Sequence, residues 1–168
     1  GSICAINFVN LDKNLKFISI DPFDTYDQVE AGGIVTRNFA AYCDEFLKNM
    51  KKYNIDITLI RKTSQEAVDL IEDNSIDFVF IDGNHSYETV KFDVLNYSYK
   101  LKSSGILCWH DNSKQYPWLQ QSLNEIFHDK YISYNNSTLW SVNYETLQEC
   151  IFNVSVWLCE VKRMKQIE

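Results

Sequence analysis

The chain has 168 residues, 45% hydrophobic and 23% charged, with a formal net charge of −7. Such a composition suits one ordinary globular domain able to bury its own core. It excludes a membrane span, since no apolar run approaches the roughly 18 residues required, and no signal peptide opens the chain. The acidic balance argues against a nucleic-acid partner, whose phosphates call for a basic patch.

In chain order, Lys16–Asp21 reads as a first strand and Ile57–Arg61 as a second. Val35, Phe39, Tyr42, Phe46, Leu47 and Met50 recur at helical spacing between them. Ala67, Val68, Leu70 and Ile71 predict a short helix before the strongest strand, Asp77–Asp82, which Gly83 stops. Thr89–Leu101 carries a further helical pattern ahead of a fourth strand, Gly105–His110. A helix follows Pro117, and Tyr131–Tyr134 with Thr138–Tyr144 read as a closing hairpin. A last helix runs from about Glu145 to Lys165, and its basic Lys162-Arg163-Lys165 reads as a solvated helix end. Short apolar strands alternating with helices predict right-handed βαβ units in a parallel sheet covered on both faces. The acidic stretch Pro22–Gly33, with Gly32-Gly33, reads as a loop able to close over a substrate. Five cysteines without CxxC spacing read as reduced thiols of a cytoplasmic protein.

In open α/β sheets, ligands bind outside the carboxyl ends of the strands. The residues found there are Asp21, then Asp82-Gly83-Asn84-His85-Ser86-Tyr87, then His110-Asp111-Asn112. A carboxylate such as Asp21 suits both hydroxyls of a ribose, or else caps the following turn. Asp82 and Asp111 end neighbouring strands, where two carboxylates repel unless a proton or cation separates them. With Asn112 they form an all-oxygen set for Mg²⁺, Ca²⁺ or Mn²⁺; alternatively both cap the helices that follow. His85, three residues after Asp82, suits a general base. Strand alternation turns the His110 side chain away from Asp111, toward packing or toward support of the residues that touch a ligand. Tyr87 and Trp109 read as packing aromatics.

The stretch Ser64-Gln65-Glu66-Ala67, the run Ile76–Tyr87, Leu101–Leu107 and His110-Asp111-Asn112 together resemble class I S-adenosylmethionine-dependent methyltransferases. The similarity is to the catechol, caffeoyl-CoA and macrolide-sugar O-methyltransferases and covers residues 1–144; Ser103-Ser104-Gly105 stands where their Pro-Gly-Gly turn is usual. The resemblance implies a Rossmann-like, mostly parallel, doubly wound sheet with a C-terminal antiparallel hairpin, over residues 1–144, and an attached helix over 145–168. It implies that Asp21 holds the cofactor ribose, that Ser64 lies beside the adenine and that Asp82 borders the cofactor. Asp82, Asp111 and Asn112 match the cation ligands of the metal-dependent members, and His85 matches the base of the sugar-modifying ones.

These enzymes begin with a strand and a Gly-rich turn that the residues from Gly1 onward do not supply, so Ile3–Val9 reads as the end of the first helix. The missing central strand would open a gap with two unpaired edges. A hairpin of Ile3–Val9 with Leu15–Asp21 is the alternative. The expected partner is a small-molecule or sugar acceptor, without nucleic acid or membrane, and a homo-oligomer is compatible with the reading. The competing functions are a non-catalytic methyltransferase-like domain that binds a nucleoside or a partner, a nicotinamide-dependent oxidoreductase, and a metal-dependent hydroxylase.

Overall fold

A computed structural model describes residues 15–30, 32–84, 86–111, 113, 116–128, 130–133, 140–143 and 145–146. They divide into two compact units, one containing residues 15–27 and 36–67 and the other residues 28–35 and 68–146. Among the described residues Phe17–Ile20 pairs with Ile57–Ile60 alone and Ile76–Ile81 with Leu101–Trp109 alone, in separate sheets, consistent with the two unpaired edges expected. The segment Ile3–Val9 and the helix over 145–165 fall wholly or largely outside the described residues.

In the first unit, β1 (Phe17–Ile20) pairs in parallel with β4 (Ile57–Ile60), from Phe17↔Ile57 to Ile20↔Ile60. The crossover between them carries α1 (Cys43–Lys52), which buries Cys43 and Met50. Asp44 and Glu45 in its first turn and Lys51 and Lys52 in its last complement the helix dipole. Asn54 at φ 53 ends it, a conformation asparagine tolerates better than most residues. A second short helix, α2 (Ser64–Ala67), follows β4.

Between β1 and α1 the expected loop is instead a two-stranded sheet, β2 (Thr25–Glu30) and β3 (Gly33–Asn38). The β-branched run Ile34-Val35-Thr36 favours extended backbone, and Gly33 takes φ 120 at the turn. Thr36 Oγ1 donates to Asp27 Oδ1 across the pair at 2.7 Å. Val35 therefore belongs to a strand, and the helical pattern begins later than its spacing suggests.

The second unit holds a four-stranded sheet of order β5-β6-β8-β7, made of β5 (Ile76–Ile81), β6 (Leu101–Trp109), β7 (Ile132–Ser133) and β8 (Trp140–Asn143). β5 and β6 are parallel, while β8 runs antiparallel to both β6 and β7, as the closing hairpin requires. The helices α3 (Tyr87–Tyr97) and α4 (Pro117–Phe127) carry the connections. One cluster joins Ile81, Leu107, Trp109 and Val142 of the sheet to Val90 and Val94 of α3 and to Leu119, Leu123, Ile126 and Phe127 of α4. Trp109 is fully buried there, in the packing role expected of it. The opposite face is more open than expected of a covered parallel sheet: Phe78, Phe80 and Ile106 stay 47%, 37% and 43% exposed.

β6 starts earlier than its apolar run, at Leu101, because the register slips: Ile76 faces Leu101 but Phe78 faces Ile106. Gly105 lies in this irregular stretch. A Cβ there would stand 2.8 Å from Leu101 Cδ2 and 2.9 Å from the Lys102 carbonyl oxygen, and a backbone atom cannot move aside cheaply. At Gly83 nothing lies within 4 Å. In urea denaturation Gly105→Ala is expected to lose about 1–3 kcal/mol, as overpacked sites do, with a much smaller change for Gly83→Ala.

Candidate functional site

In the first unit the carboxyl ends of β1 and β4 bring Asp21 and Ser64 to the same edge. The Asp21 amide donates to the Ile60 carbonyl at 3.2 Å, one pair beyond Ile20↔Ile60. Pro22 then forces a turn, in which Phe23 N–H donates to Asp21 Oδ1 at 2.7 Å. Phe23 sits at φ 45, a strained conformation for a bulky side chain, on the order of 1–3 kcal/mol. The Asp21 bond and burial of the ring against Phe46, 5.5 Å between centroids, hold it there. Asp21 thus does the turn-capping work its position predicts, with one of its two carboxylate oxygens. It also lines an open cleft of about 430 Å³ with Ser19, Phe23, Tyr42, Glu45 and Phe46 among others.

Ser64 opens α2 behind a reciprocal cap: Glu66 N–H donates to Thr63 Oγ1 at 3.3 Å, and Thr63 N–H to Glu66 Oε2 at 3.0 Å. This is the Thr-x-x-Glu capping box. Ser64 Oγ lies 3.2 Å from Gln65 Oε1.

In the second unit, Ile81 pairs with Trp109 and His110 N–H donates to the Ile81 carbonyl at 3.1 Å. Asp82 and His110 are therefore level as the chain leaves the sheet. His110 Nδ1 lies 3.6 Å from Asp82 Oδ1 and 3.1 Å from Asp111 Oδ1. Ligand atoms of all three lie within 4.8 Å of one another. The expected orientation of His110 away from Asp111 is therefore corrected. Alternation holds only while the backbone stays extended, and Asp111 at φ 61 turns its carboxylate back toward the imidazole. The available signal was strand-end alignment, because matching Ile81 to Trp109 makes His110 the partner of Asp82. Asn112 and His85 lie outside the described residues.

The turn after Asp82 is closed locally. Asn84 Oδ1 accepts from Ser86 N–H at 2.9 Å, and Ser86 Oγ, the N-cap of α3, accepts from Thr89 N–H at 3.3 Å. Cys108, buried beside this edge, has its thiol pushed up to about 11 by burial, which leaves it protonated and inert near neutral pH.

A sequence profile described as a methyltransferase domain matches residues 2–112, more than half of the chain. The chain belongs to this methyltransferase-domain family. Among solved structures, this methyltransferase domain superposes on the O-methyltransferase NovP with a TM-score of 0.63 at 12% identity, over 84% of this chain and 64% of that one. It superposes on CalS11, a TDP-rhamnose 3′-O-methyltransferase of calicheamicin biosynthesis, with a TM-score of 0.54 at 13% identity, over 84% and 65%. At such identities the likeness establishes a shared fold: the Rossmann-like α/β architecture expected from the sequence. Protein y4gI of Sinorhizobium fredii is 34% identical over an alignment of 98 positions that covers 49% of this chain and 11% of that protein. The chain thus spans about a tenth of that relative and just under two thirds of these two solved structures. Among the described residues, no helix is long and apolar enough to cross a membrane.

The capping box yields a stability prediction. Hydrogen bonds from the Thr63 backbone and then its side chain hold the Glu66 carboxyl below its ordinary 4.5. A depressed carboxyl stabilises the fold above its unfolded pKa and loses that contribution as pH falls through the folded value. Thr63→Ala should cost about 0.5–2 kcal/mol at pH 7. In urea melts its deficit relative to wild type should shrink below pH 4.5.

Proposed function

We propose that this domain serves S-adenosylmethionine-dependent methyl transfer to a hydroxyl oxygen of a small molecule or sugar. The observation that carries the proposal is the family match over residues 2–112, which spans the strand ends bearing Asp21, Asp82 and Asp111. NovP and CalS11 act on oxygen, and CalS11 on a sugar, which favours a hydroxyl acceptor here. Reduced Cys43 and Cys108 fit a cytoplasmic setting.

The cofactor supplies a methyl group made electrophilic by its sulfonium sulfur. In the proposed arrangement Asp21 accepts hydrogen bonds from the ribose hydroxyls, Ser64 lies beside the adenine, and Asp82 borders the cofactor. His85 takes the proton of the acceptor hydroxyl, because an alkoxide attacks far better than a neutral alcohol. Alignment of donor and acceptor in a site shielded from water supplies much of the remaining acceleration.

The clustered donor atoms of Asp82, Asp111 and His110 are compatible with a divalent cation, with Asn112 as a further ligand. Such a cation would supply positive charge that lowers the pKa of the acceptor hydroxyl. The imidazole nitrogen favours Mn²⁺ over Ca²⁺, which prefers oxygen ligands.

Calorimetry with S-adenosylhomocysteine tests the cofactor assignment. Asp21→Ala should weaken binding about tenfold or more, corresponding to about 1.5–3 kcal/mol for a charge-assisted contact. Absence of binding even with the Gly-rich turn supplied upstream would favour a domain that binds only a partner.

The acceptor side separates from this in methyl-transfer assays. Asp111→Ala should abolish metal-dependent turnover while leaving cofactor affinity nearly intact. His85→Ala should lower turnover by roughly 10²–10⁴-fold. Full activity in EDTA together with an active His85→Ala variant would remove both the cation and the base from the mechanism.

A further inference from the structure

Tyr87 belongs to the run Asp82–Tyr87, yet neither the cofactor nor the cation assignment uses it. It is the first residue of α3, and its hydroxyl donates to Glu125 Oε2 on α4. Lys91 Nζ donates to the same hydroxyl at 3.0 Å, lies 3.6 Å from Glu125 Oε2 and sits 5.2 Å over the Tyr87 ring. Gln121 Nε2 donates to Glu125 Oε1 at 2.9 Å. The Tyr87 bond is the largest cause holding the Glu125 carboxyl below its ordinary value and the Lys91 ammonium above its own. Both groups therefore stay charged across the neutral range.

Hydrogen bonds anchor the chain on both sides of the turn that follows Asp82. On one side, the Ile81↔Trp109 pair and the bond from His110 N–H to the Ile81 carbonyl anchor it. On the other, the bonds at Asn84 and Ser86 join it to the first turn of α3. A displaced helix start therefore moves Ser86 and, through its bond, Asn84, two residues from Asp82.

We infer that Tyr87 is a positioning residue: through Glu125 it fixes the start of α3, and with it the place of Asp82 against His110 and Asp111. The functional meaning of this role rests on the proposed use of Asp82 and Asp111, but the placement itself is measurable without cofactor or acceptor. Tyr87→Phe keeps the ring and removes the hydroxyl. In ¹⁵N NMR of the chain, the His110 ring signals should shift, and amide exchange at Ser86 and Thr89, whose N–H groups are hydrogen-bonded in this turn, should quicken by about tenfold. Lys102→Met, which breaks the Lys102–Asp77 bridge at the other end of β5, should change neither. If Tyr87→Phe fails to fold, Glu125→Gln weakens the same tie from α4 and should act in the same direction. Unchanged His110 signals and unchanged exchange in the folded variants would overturn the inference even if thermal stability fell. Absence of cofactor binding with the Gly-rich turn supplied upstream would instead overturn the methyl-transfer proposal and leave this result readable.

Discussion

Parallel pairing of β5 with β6 is the constraint from which the second unit takes its form. Ile81 opposite Trp109 sends both chains out of the sheet at one level, so the residues that follow must share a small volume. Those residues are Asp82, His110 and Asp111, and their ligand atoms fall within 4.8 Å of one another. The core beneath secures the register. Ile81 and Trp109 point into the cluster formed with Val90, Leu119 and Phe127, and a one-residue slip of either strand would turn its own side chains to the opposite face. The apolar core and the polar cluster are therefore consequences of one pairing.

Much of this was legible in the residues. Runs such as Asp77–Asp82 and Ile57–Arg61 are short, apolar and bounded by turn signals, and their strands lie within a residue of the expected ends. The helix after Pro117 and the antiparallel hairpin at Trp140 are likewise where composition places them. Less legible was what depends on a single dihedral angle or on an element between the main strands. Asp111 at φ 61 defeats the alternation rule that turned His110 away. The β2–β3 pair was hidden because its acidic and glycine residues resemble a loop, and Val35 shares a helical spacing with Phe39 by coincidence. The early start of β6 was hidden because Lys102-Ser103-Ser104 has no strand composition; its irregular pairing beside β5 brings it into the sheet.

Capping and ligand binding were opposed as alternatives for the strand-end aspartates, and the structure shows why that opposition is incomplete. A carboxylate has two oxygens with about four acceptor positions. At Asp21 the Phe23 amide occupies one position on Oδ1. That bond restrains the side chain at little expense of its accepting capacity. After β5, Asn84 and Ser86 close the turn with bonds of their own. A carboxylate intended for a ligand must be held in one rotamer before the ligand arrives, because the entropy of ordering it otherwise opposes binding. The strained Phe23 fits this argument. Its φ of 45 is tolerable only because the Asp21 bond and the Phe46 contact both restrain it, and strain of this kind persists where the surroundings over-determine a conformation. On the proposed use of Asp21, the turn bond from Phe23 would hold its carboxylate in one rotamer ahead of a ligand.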